Sequence, residues 1–234
     1  MLLYCLLVSH LTAITFSLYL HRSVVHRAVQ FHPVIQHLFR LYAWLTLGVI
    51  QRNMMGVHRI HHATSDTAKD PYNPHNGFAE FYFKKIWMTT VPVTNPEHLM
   101  YIHKYAPDAP DDWLEYNLYS KYYWLGLVVF MLFNVLVWGM IGILIALVPL
   151  FTMAMINLVI GGISHTIGYR HKDTRDRSTN IFPIGIIFVG EEMHHNHHIV
   201  ASSAKFSTKW YEFDLGFAYI YILSKLGLAT YKTA

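Results

Sequence analysis

The sequence contains very little cysteine and few charged residues. Cys5 is the only cysteine among 234 residues, so the chain cannot form an internal disulfide or a cysteine-based zinc or iron–sulfur site. Charged side chains make up 14% of the residues, whereas a soluble domain usually has about 25%. The net charge of +4 is not arranged as a basic stripe with interleaved aromatics, which argues against nucleic-acid binding. No basic residue precedes the first apolar stretch, which argues against a secretory signal peptide.

Apolar residues make up 53% of the chain and are concentrated in three segments. Residues 2–20 are just long enough to span a bilayer, which takes about 20 residues. Residues 122–164 contain no charged side chain and are long enough for two spans, so we expect a transmembrane hairpin there. Residues 34–50 contain Arg40, and we expect this segment to lie along the membrane interface.

Histidines form three clusters outside the longest apolar runs. Neutral imidazole is the commonest metal ligand in proteins and suits iron, copper, zinc and nickel. So many imidazoles on a chain with a single cysteine predict a metal site with nitrogen ligands only. The clusters are His21 with His26; His58 with His61 and His62; and His194, His195, His197 and His198.

The spacing within each cluster is informative. Residues three and four apart share one face of a helix, so the second and third clusters can each supply two or three ligands from one turn. His195 also lies three residues before His198, so spacing does not choose between His194 and His195. His21 and His26 are about 140° apart on a straight α-helix, so we expect the helix to end or bend between them. The other histidines are expected at the surface or the membrane interface: His10, His32, His37, His75, His98, His103 and His171.

One shared site requires all three clusters to lie on one side of the membrane. Arg22 and Arg27 follow the first span and further basic residues follow the hairpin, so the positive-inside rule places this side in the cytoplasm. We therefore predict an all-α integral membrane protein, a single domain over residues 1–234, with a cytoplasmic helical cap that holds the histidine-rich site. Residues 51–120 and 166–234 form the cytoplasmic parts.

Sequence around the clusters resembles a known family. The segments 21–26 (HRSVVH), 58–62 (HRIHH) and 190–198 (GEEMHHNHH) resemble the three histidine boxes of membrane fatty acid desaturases, in particular the acyl-CoA (delta-9 type) desaturases in their short bacterial form. The resemblance covers nearly the whole chain. It includes residues 108–119, 164–170, 178–185 and 202–216.

The resemblance implies a non-haem di-iron centre held by nine histidines. It selects His194 over His195 in the third cluster, and it adds His165, which spacing does not single out. The implied ligands are His21, His26, His58, His61, His62, His165, His194, His197 and His198.

Two features depart from the family pattern. Family members usually carry an asparagine four residues before the position of His165, where Gly161 stands here. Asn157, one turn earlier, is a candidate substitute for that amide. Members also usually carry a further apolar helix before the first span, whereas the apolar segments here favour three spans.

The implied reaction is the O2-dependent desaturation of a saturated fatty acyl chain, as acyl-CoA or acyl-lipid, which introduces a cis double bond at the delta-9 position. Two iron ions are the implied cofactor, and O2 is the co-substrate. The electrons would come from an external donor of the ferredoxin, rubredoxin or cytochrome b5 type with a reductase. The implied location is the lipid bilayer of the bacterial inner membrane, with the active site facing the cytoplasm. Residues 122–164 and 34–50 are candidates to line the acyl channel, and Gln51 and Arg52 to contact the acyl headgroup.

Two other functions are compatible with the histidine pattern. An acyl or alkane hydroxylase uses similar boxes and differs in its product. A non-catalytic metal-binding membrane protein, such as a transporter, would place its ligands near the middle of the membrane. Here the histidines gather at the ends of spans and in polar loops, which favours the enzyme.

Overall fold

The computed structural model describes residues 1–90 and 93–233, and these are mostly helical. The prediction of a mainly helical protein is thereby confirmed. The α-helices are α1 (Leu2–Ile14), α2 (Pro33–Leu47), α3 (Gln51–Thr64), α4 (Phe78–Thr90), α5 (Pro96–Tyr105), α6 (Tyr123–Trp138), α7 (Gly142–Ala146), α8 (Val148–Ile156), α9 (His194–Ile199) and α10 (Leu215–Lys225). Three π-helical segments are Thr15–Val25, Glu115–Tyr119 and Asn157–Gly162. Four short strands, which the sequence analysis did not predict, are β1 (Val29–Phe31), β2 (Ile184–Gly185), β3 (Phe213–Asp214) and β4 (Ala229–Tyr231).

The strands form two small pairs that join parts of the chain distant in sequence. β1 pairs antiparallel with β4, so the stretch after the first long helix is joined to the C-terminal residues. β2 pairs parallel with β3, which joins the stretch before the third histidine cluster to the start of α10.

Within residues 1–90 and 93–233, two helical stretches are long and apolar enough to cross a membrane. They are Leu2–Val25, with 24 residues, and Tyr123–His165, with 43 residues. The second stretch reverses direction at Gly139, where φ is +67°, a conformation that favours glycine. Its returning half packs against α1, with Ser9 Oγ 2.9 Å from Thr152 Oγ1. These stretches match the predicted span at 2–20 and the predicted hairpin at 122–164, while their placement in a bilayer stays a prediction.

Helix α2 corresponds to the segment predicted to lie along the interface. Pro33 occupies its first turn and Gly48 ends it with φ +59°, in agreement with the preference for proline at helix starts and glycine at helix ends. Val34, Leu38 and Leu41 are exposed, and their spacing places them on one face. The opposite side packs on α6, where Gly126 allows the backbone of Trp44 to approach closely.

A buried ion pair links the first long helix to the C-terminal part of the chain. Arg22 is fully buried, and its Nη2 donates to both carboxylate oxygens of Asp214 at 3.0 and 3.2 Å. The guanidinium also lies over the ring of Phe206, 3.8 Å from the centroid. Glycines at 190 and 216 leave room for it, because a Cβ at either position would collide with Arg22.

Removing one partner of this pair should destabilise the fold strongly. In Asp214→Ala the Arg22 guanidinium stays buried without its carboxylate, so the free energy of unfolding should fall by about 3–5 kcal/mol. Thermal unfolding of the detergent-solubilised protein measures this. Asp173→Ala removes an exposed carboxylate and should change the free energy by less than about 0.5 kcal/mol. Equal unfolding temperatures for the two variants would show that the Arg22–Asp214 pair does not stabilise the fold.

Candidate metal centre

Four parts of the fold bring histidines together at one place. The first cluster lies at the end of the first long helix, and the second lies on α3. His165 ends the second long helix, and the third cluster lies on α9. Most of these side chains are buried. On α3 and α9 the ligand candidates occupy positions three and four apart, as the spacing predicted.

A widened helix aligns His21 and His26. The first long helix ends between them, at Val25, as expected. Its last eleven residues, Thr15–Val25, are π-helical. His26 N donates to His21 O at 3.1 Å, an i to i+5 bond. Because such bonds place residues five apart on nearly the same side, the two rings lie 4.9 Å apart. No bend is needed to bring both imidazoles to one site.

The imidazoles form two groups, and in each group the candidate ligand atoms all lie within 4.8 Å of one another. We call them the five-histidine group and the four-histidine group. The five-histidine group contains His21, His26, His58, His62 and His197. The four-histidine group contains His61, His165, His194 and His198.

Distances between ring nitrogens fit ligands of a shared ion. In the five-histidine group His58 Nε2 lies 3.1 Å from His21 Nε2 and 2.9 Å from His62 Nε2. In the four-histidine group the Nε2 atoms of His165 and His194 are 3.1 Å apart. A metal–imidazole bond of about 2.1 Å separates ligands at right angles by about 3 Å. Each group could therefore hold one metal ion.

Buried ring nitrogens without hydrogen-bond partners also indicate a metal site. His26 Nε2 and His198 Nε2 are buried and accept or donate no hydrogen bond among the described residues. A buried polar atom without a partner costs about 1–3 kcal/mol. An ion bound in each group would satisfy one of these two atoms, so the residues present fit a pair of metal ions.

The imidazoles at positions 58, 62, 194 and 197 are held in the neutral form that binds metals. Burial, together with the neighbouring imidazoles, lowers the pKa of His58, His62, His194 and His197 well below the usual value. Metal binding needs the ring without its second proton. At neutral pH these rings therefore present a free lone pair.

Carboxylates orient several of these rings from outside. A neutral imidazole that donates its Nδ1–H to a carboxylate presents Nε2 to a metal and becomes a more basic ligand. Three rings have such a partner: His61 Nδ1 lies 2.9 Å from Asp70, His165 Nδ1 3.0 Å from Asp66 and His198 Nδ1 3.3 Å from Asp176. His21 Nδ1 lies 2.7 Å from a carboxylate oxygen of Glu191, but this contact lacks hydrogen-bond geometry. His58 Nδ1 instead lies 3.1 Å from the hydroxyl of Tyr72.

The three aspartates Asp66, Asp70 and Asp176 stay ionised at neutral pH, because the pKa of each is lowered. Burial alone would raise the pKa of Asp66, but hydrogen bonds from His165 and from the Arg177 N–H lower it to about 2. The pKa of Asp176 is likewise lowered, because His198 and the Ser178 hydroxyl and N–H outweigh the effect of burial. Asp66 adopts φ +61°, which is uncommon for a residue other than glycine.

The sequence pattern did not predict a role for the four acidic residues beside the rings, Asp66, Asp70, Asp176 and Glu191. A signal was present, since Asp66 and Asp70 directly follow the second cluster and Glu191 lies three residues before His194. Their pairing with particular histidines depends on the fold, however. His195 is buried but belongs to neither group, and its Nδ1 lies 3.0 Å from the Ser178 hydroxyl.

The other histidines belong to neither group. His171 Nε2 contacts Glu212 at 2.9 Å, and His75 Nε2 lies 3.2 Å from Asp66. His10 Nε2 lies 2.9 Å from the Tyr219 hydroxyl.

A mostly apolar cavity of about 340 Å³ adjoins the five-histidine group. His58 and Tyr72 contribute to its lining. Residues 34–50 and 122–164, the segments predicted to line the acyl channel, both contribute to this lining. The apolar lining residues include Phe16, Leu47, Met54, Leu150, Met153 and Ala154.

The two headgroup candidates have different surroundings. Gln51 is buried, accepts from the Tyr19 hydroxyl at 2.8 Å and donates to Glu115 at 3.0 Å. It is therefore not available to a headgroup, and that interpretation of Gln51 is wrong. Arg52 lines an open groove of about 580 Å³ together with His103 and Lys121.

The third cluster allows a matched test of metal binding. His194→Ala removes a ring that lies within the four-histidine group, so the metal bound per chain should fall to about half. His195→Ala removes the adjacent buried imidazole and should leave the metal content unchanged. Elemental analysis of the purified variants measures both. Equal losses in the two variants would contradict the grouping.

Comparison with known proteins agrees with the geometry of this centre. Residues 1–221 match the family model for the fatty acid desaturase. Two proteins named sn-1 stearoyl-lipid 9-desaturase are each 30% identical over 218 residues. The one from Anabaena variabilis aligns with 90% of this chain and 75% of its own length, and the one from Synechocystis sp. with 89% and 64%. A hex-5-enoyl-[acyl-carrier protein] acetylenase from Moorena producens is 30% identical over 237 residues, which cover 93% of this chain and 72% of the relative. The chain therefore belongs to the fatty acid desaturase family and is an oxidoreductase enzyme of the desaturase type.

Proposed function

We propose that the protein is an O2-dependent desaturase that introduces a cis double bond into a saturated fatty acyl chain. The observation that supports this most strongly is the position of the apolar cavity. Its lining includes His58 of the five-histidine group and Tyr72, whose ring stacks on that of His61 in the four-histidine group. An acyl chain in this cavity would lie beside the metal centre.

The proposed cofactor is a pair of iron ions held by all nine histidines of the two groups. The five-histidine group would hold one ion and the four-histidine group the other. When bound, the irons supply the oxidising power, drawn from O2 and two electrons, that an unactivated C–H bond requires. The ligands do not include His195.

The chain's own residues would orient the substrate and exclude water. Phe16 lines the cavity and stacks on the ring of His21 at 5.7 Å. The wall that contacts the acyl chain therefore also packs against a proposed ligand. Holding one C–C bond at a fixed place beside the metals lowers the entropic cost of the reaction.

Asn157 is the proposed replacement for the family asparagine, which is Gly161 here. Both residues line a small space between the two histidine groups, next to His194. Asn157 Oδ1 is buried and has no hydrogen-bond partner among the described residues. Its amide is therefore available to hold a water molecule near the four-histidine group.

The proposed substrate is a long saturated acyl chain that is desaturated at the delta-9 position. The names of the two cyanobacterial relatives favour a lipid-linked acyl chain, and an acyl-CoA is the alternative carrier. Arg52, with His103 and Lys121 in the same groove, is the proposed contact for an anionic headgroup.

We place the protein in the bacterial inner membrane, with the metal centre on the cytoplasmic side. Leu2–Val25 would form the first span and Tyr123–His165 a hairpin of two further spans. The exposed apolar face of α2 would then rest in the interface. Electrons would come from a ferredoxin, rubredoxin or cytochrome b5 type of donor with its reductase.

Product analysis tests the reaction. A heterologous host that expresses the chain should accumulate a new monounsaturated fatty acid, and mass spectrometry should locate its double bond. His194→Ala should lower its formation by more than about 100-fold, because a proposed metal ligand is lost, whereas His195→Ala should retain it. A hydroxylated product would identify the rival hydroxylase, and iron-loaded protein without any product would favour a non-catalytic role.

The cavity allows a second test. Ala154→Trp fills part of the proposed acyl site, so turnover of long acyl chains should fall about tenfold or more while the metal content stays unchanged. Phe151→Trp adds bulk on the exposed side of the same helix and should leave turnover unchanged. Chain-length profiles of the two variants measure the difference. Normal turnover in Ala154→Trp would place the acyl chain elsewhere.

A further inference from the structure

The two histidine groups differ in the partners that lie behind them. In the four-histidine group, three of the four rings contact a carboxylate through Nδ1, and these carboxylates belong to Asp66, Asp70 and Asp176. In the five-histidine group, Glu191 is the only carboxylate found behind a ring among the described residues. The group with fewer imidazoles therefore has more negative charge around it.

The Nδ1 partners of the other rings do not change this difference in negative charge between the two groups. In the five-histidine group His58 contacts the neutral hydroxyl of Tyr72, and His197 Nδ1 is buried without a partner in the described part of the chain. In the four-histidine group only His194 Nδ1 lacks such a partner. Among the described residues, the five-histidine group thus contains two buried Nδ1 atoms without a hydrogen-bond partner, at His21 and His197, and the four-histidine group contains one. The carboxylates remain the main difference.

The three carboxylates are fixed in place. Asp70 accepts from the N–H groups of Asp66 and Tyr72 at 3.0 and 3.1 Å. Asp66 accepts from the Arg177 N–H at 2.7 Å, and Asp176 from the Ser178 N–H at 3.0 Å. Because these backbone donors hold the carboxylates beside the rings, the negative charge cannot move away when a metal binds.

Nearby cations do not reverse the difference. The guanidinium of Arg59 is paired with Asp108 at 2.6 and 3.0 Å. Lys85 lies close to both groups, because it lines one small space together with His58 and His61. The charge behind the rings is therefore more negative at the four-histidine group.

We propose that the four-histidine group binds its metal ion more tightly than the five-histidine group and fills first. This rests on the proposed metal centre, and it is the opposite of the order that the number of imidazoles would suggest. Imidazoles that donate to carboxylates are more basic ligands, and loss of such a partner typically lowers metal affinity 10–100-fold. Buried negative charge also attracts a divalent cation more strongly than exposed charge does.

The test is a titration of metal-free protein with Co²⁺, whose visible absorption reports coordination. Wild-type protein should bind in two phases of different affinity. His194→Ala should remove the tighter phase, and His62→Ala the weaker one. Two phases of equal affinity, or loss of the tighter phase in His62→Ala, would overturn the proposal.

Carboxylate variants test the cause. Asp70→Asn should weaken the tighter phase 10–100-fold and leave the weaker phase unchanged. Glu191→Gln should weaken only the weaker phase, and Asp173→Asn, at an exposed position, should change neither. Circular dichroism in detergent confirms that each variant is folded, and Asp66→Asn replaces Asp70→Asn if the latter does not fold. An unchanged tighter phase in the folded Asp variant would contradict the role of the carboxylates.

The outcome is separable from that of the proposed reaction. Two ions bound in this order by a protein that forms no unsaturated product would disprove the reaction and leave the inference standing. A protein that binds no Co²⁺ would disprove the metal centre, and the inference with it.

Discussion

The requirement that nine imidazoles be neutral in a buried space explains much of this structure. A protonated ring would repel its neighbours and could not bind a metal, and burial already lowers the pKa of the rings at positions 58, 62, 194 and 197. A neutral ring still carries one N–H, which needs an acceptor in a dry interior. Carboxylates lie beside Nδ1 of four of the nine rings, those of His21, His61, His165 and His198. In His61, His165 and His198 these contacts fix which nitrogen faces inward.

Helix geometry makes the close approach of the rings possible. Two of the three π-helical segments lie just before a proposed ligand: Thr15–Val25 before His26, and Asn157–Gly162 before His165. A π-helix is locally wider than an α-helix and is less favourable, and such segments are frequent at functional sites. Here the widening places residues five apart on one side.

The centre and the cavity are held together by contacts between parts of the chain that are distant in sequence. The Arg22–Asp214 pair joins the first long helix to the start of α10. Phe206, next to that pair, lies 4.6 Å from the ring of His197. Because one packed unit supports both a cavity wall and the ligand groups, the acyl chain and the metals would keep a constant separation. A desaturase needs this constancy in order to oxidise one C–C bond among many similar ones.

Composition and local spacing were sufficient for the coarse features of the protein. The uncharged run over residues 122–164 predicted the helical hairpin, and positions three and four apart predicted the shared faces of α3 and α9. His165 followed only from family resemblance, because a single histidine has no periodicity to mark it. The division into two groups, the carboxylate partners and the cavity were decided by the tertiary structure. His62 and His197, 135 residues apart, meet at 3.1 Å. Local sequence patterns do not encode such contacts, since they depend on how whole helices pack.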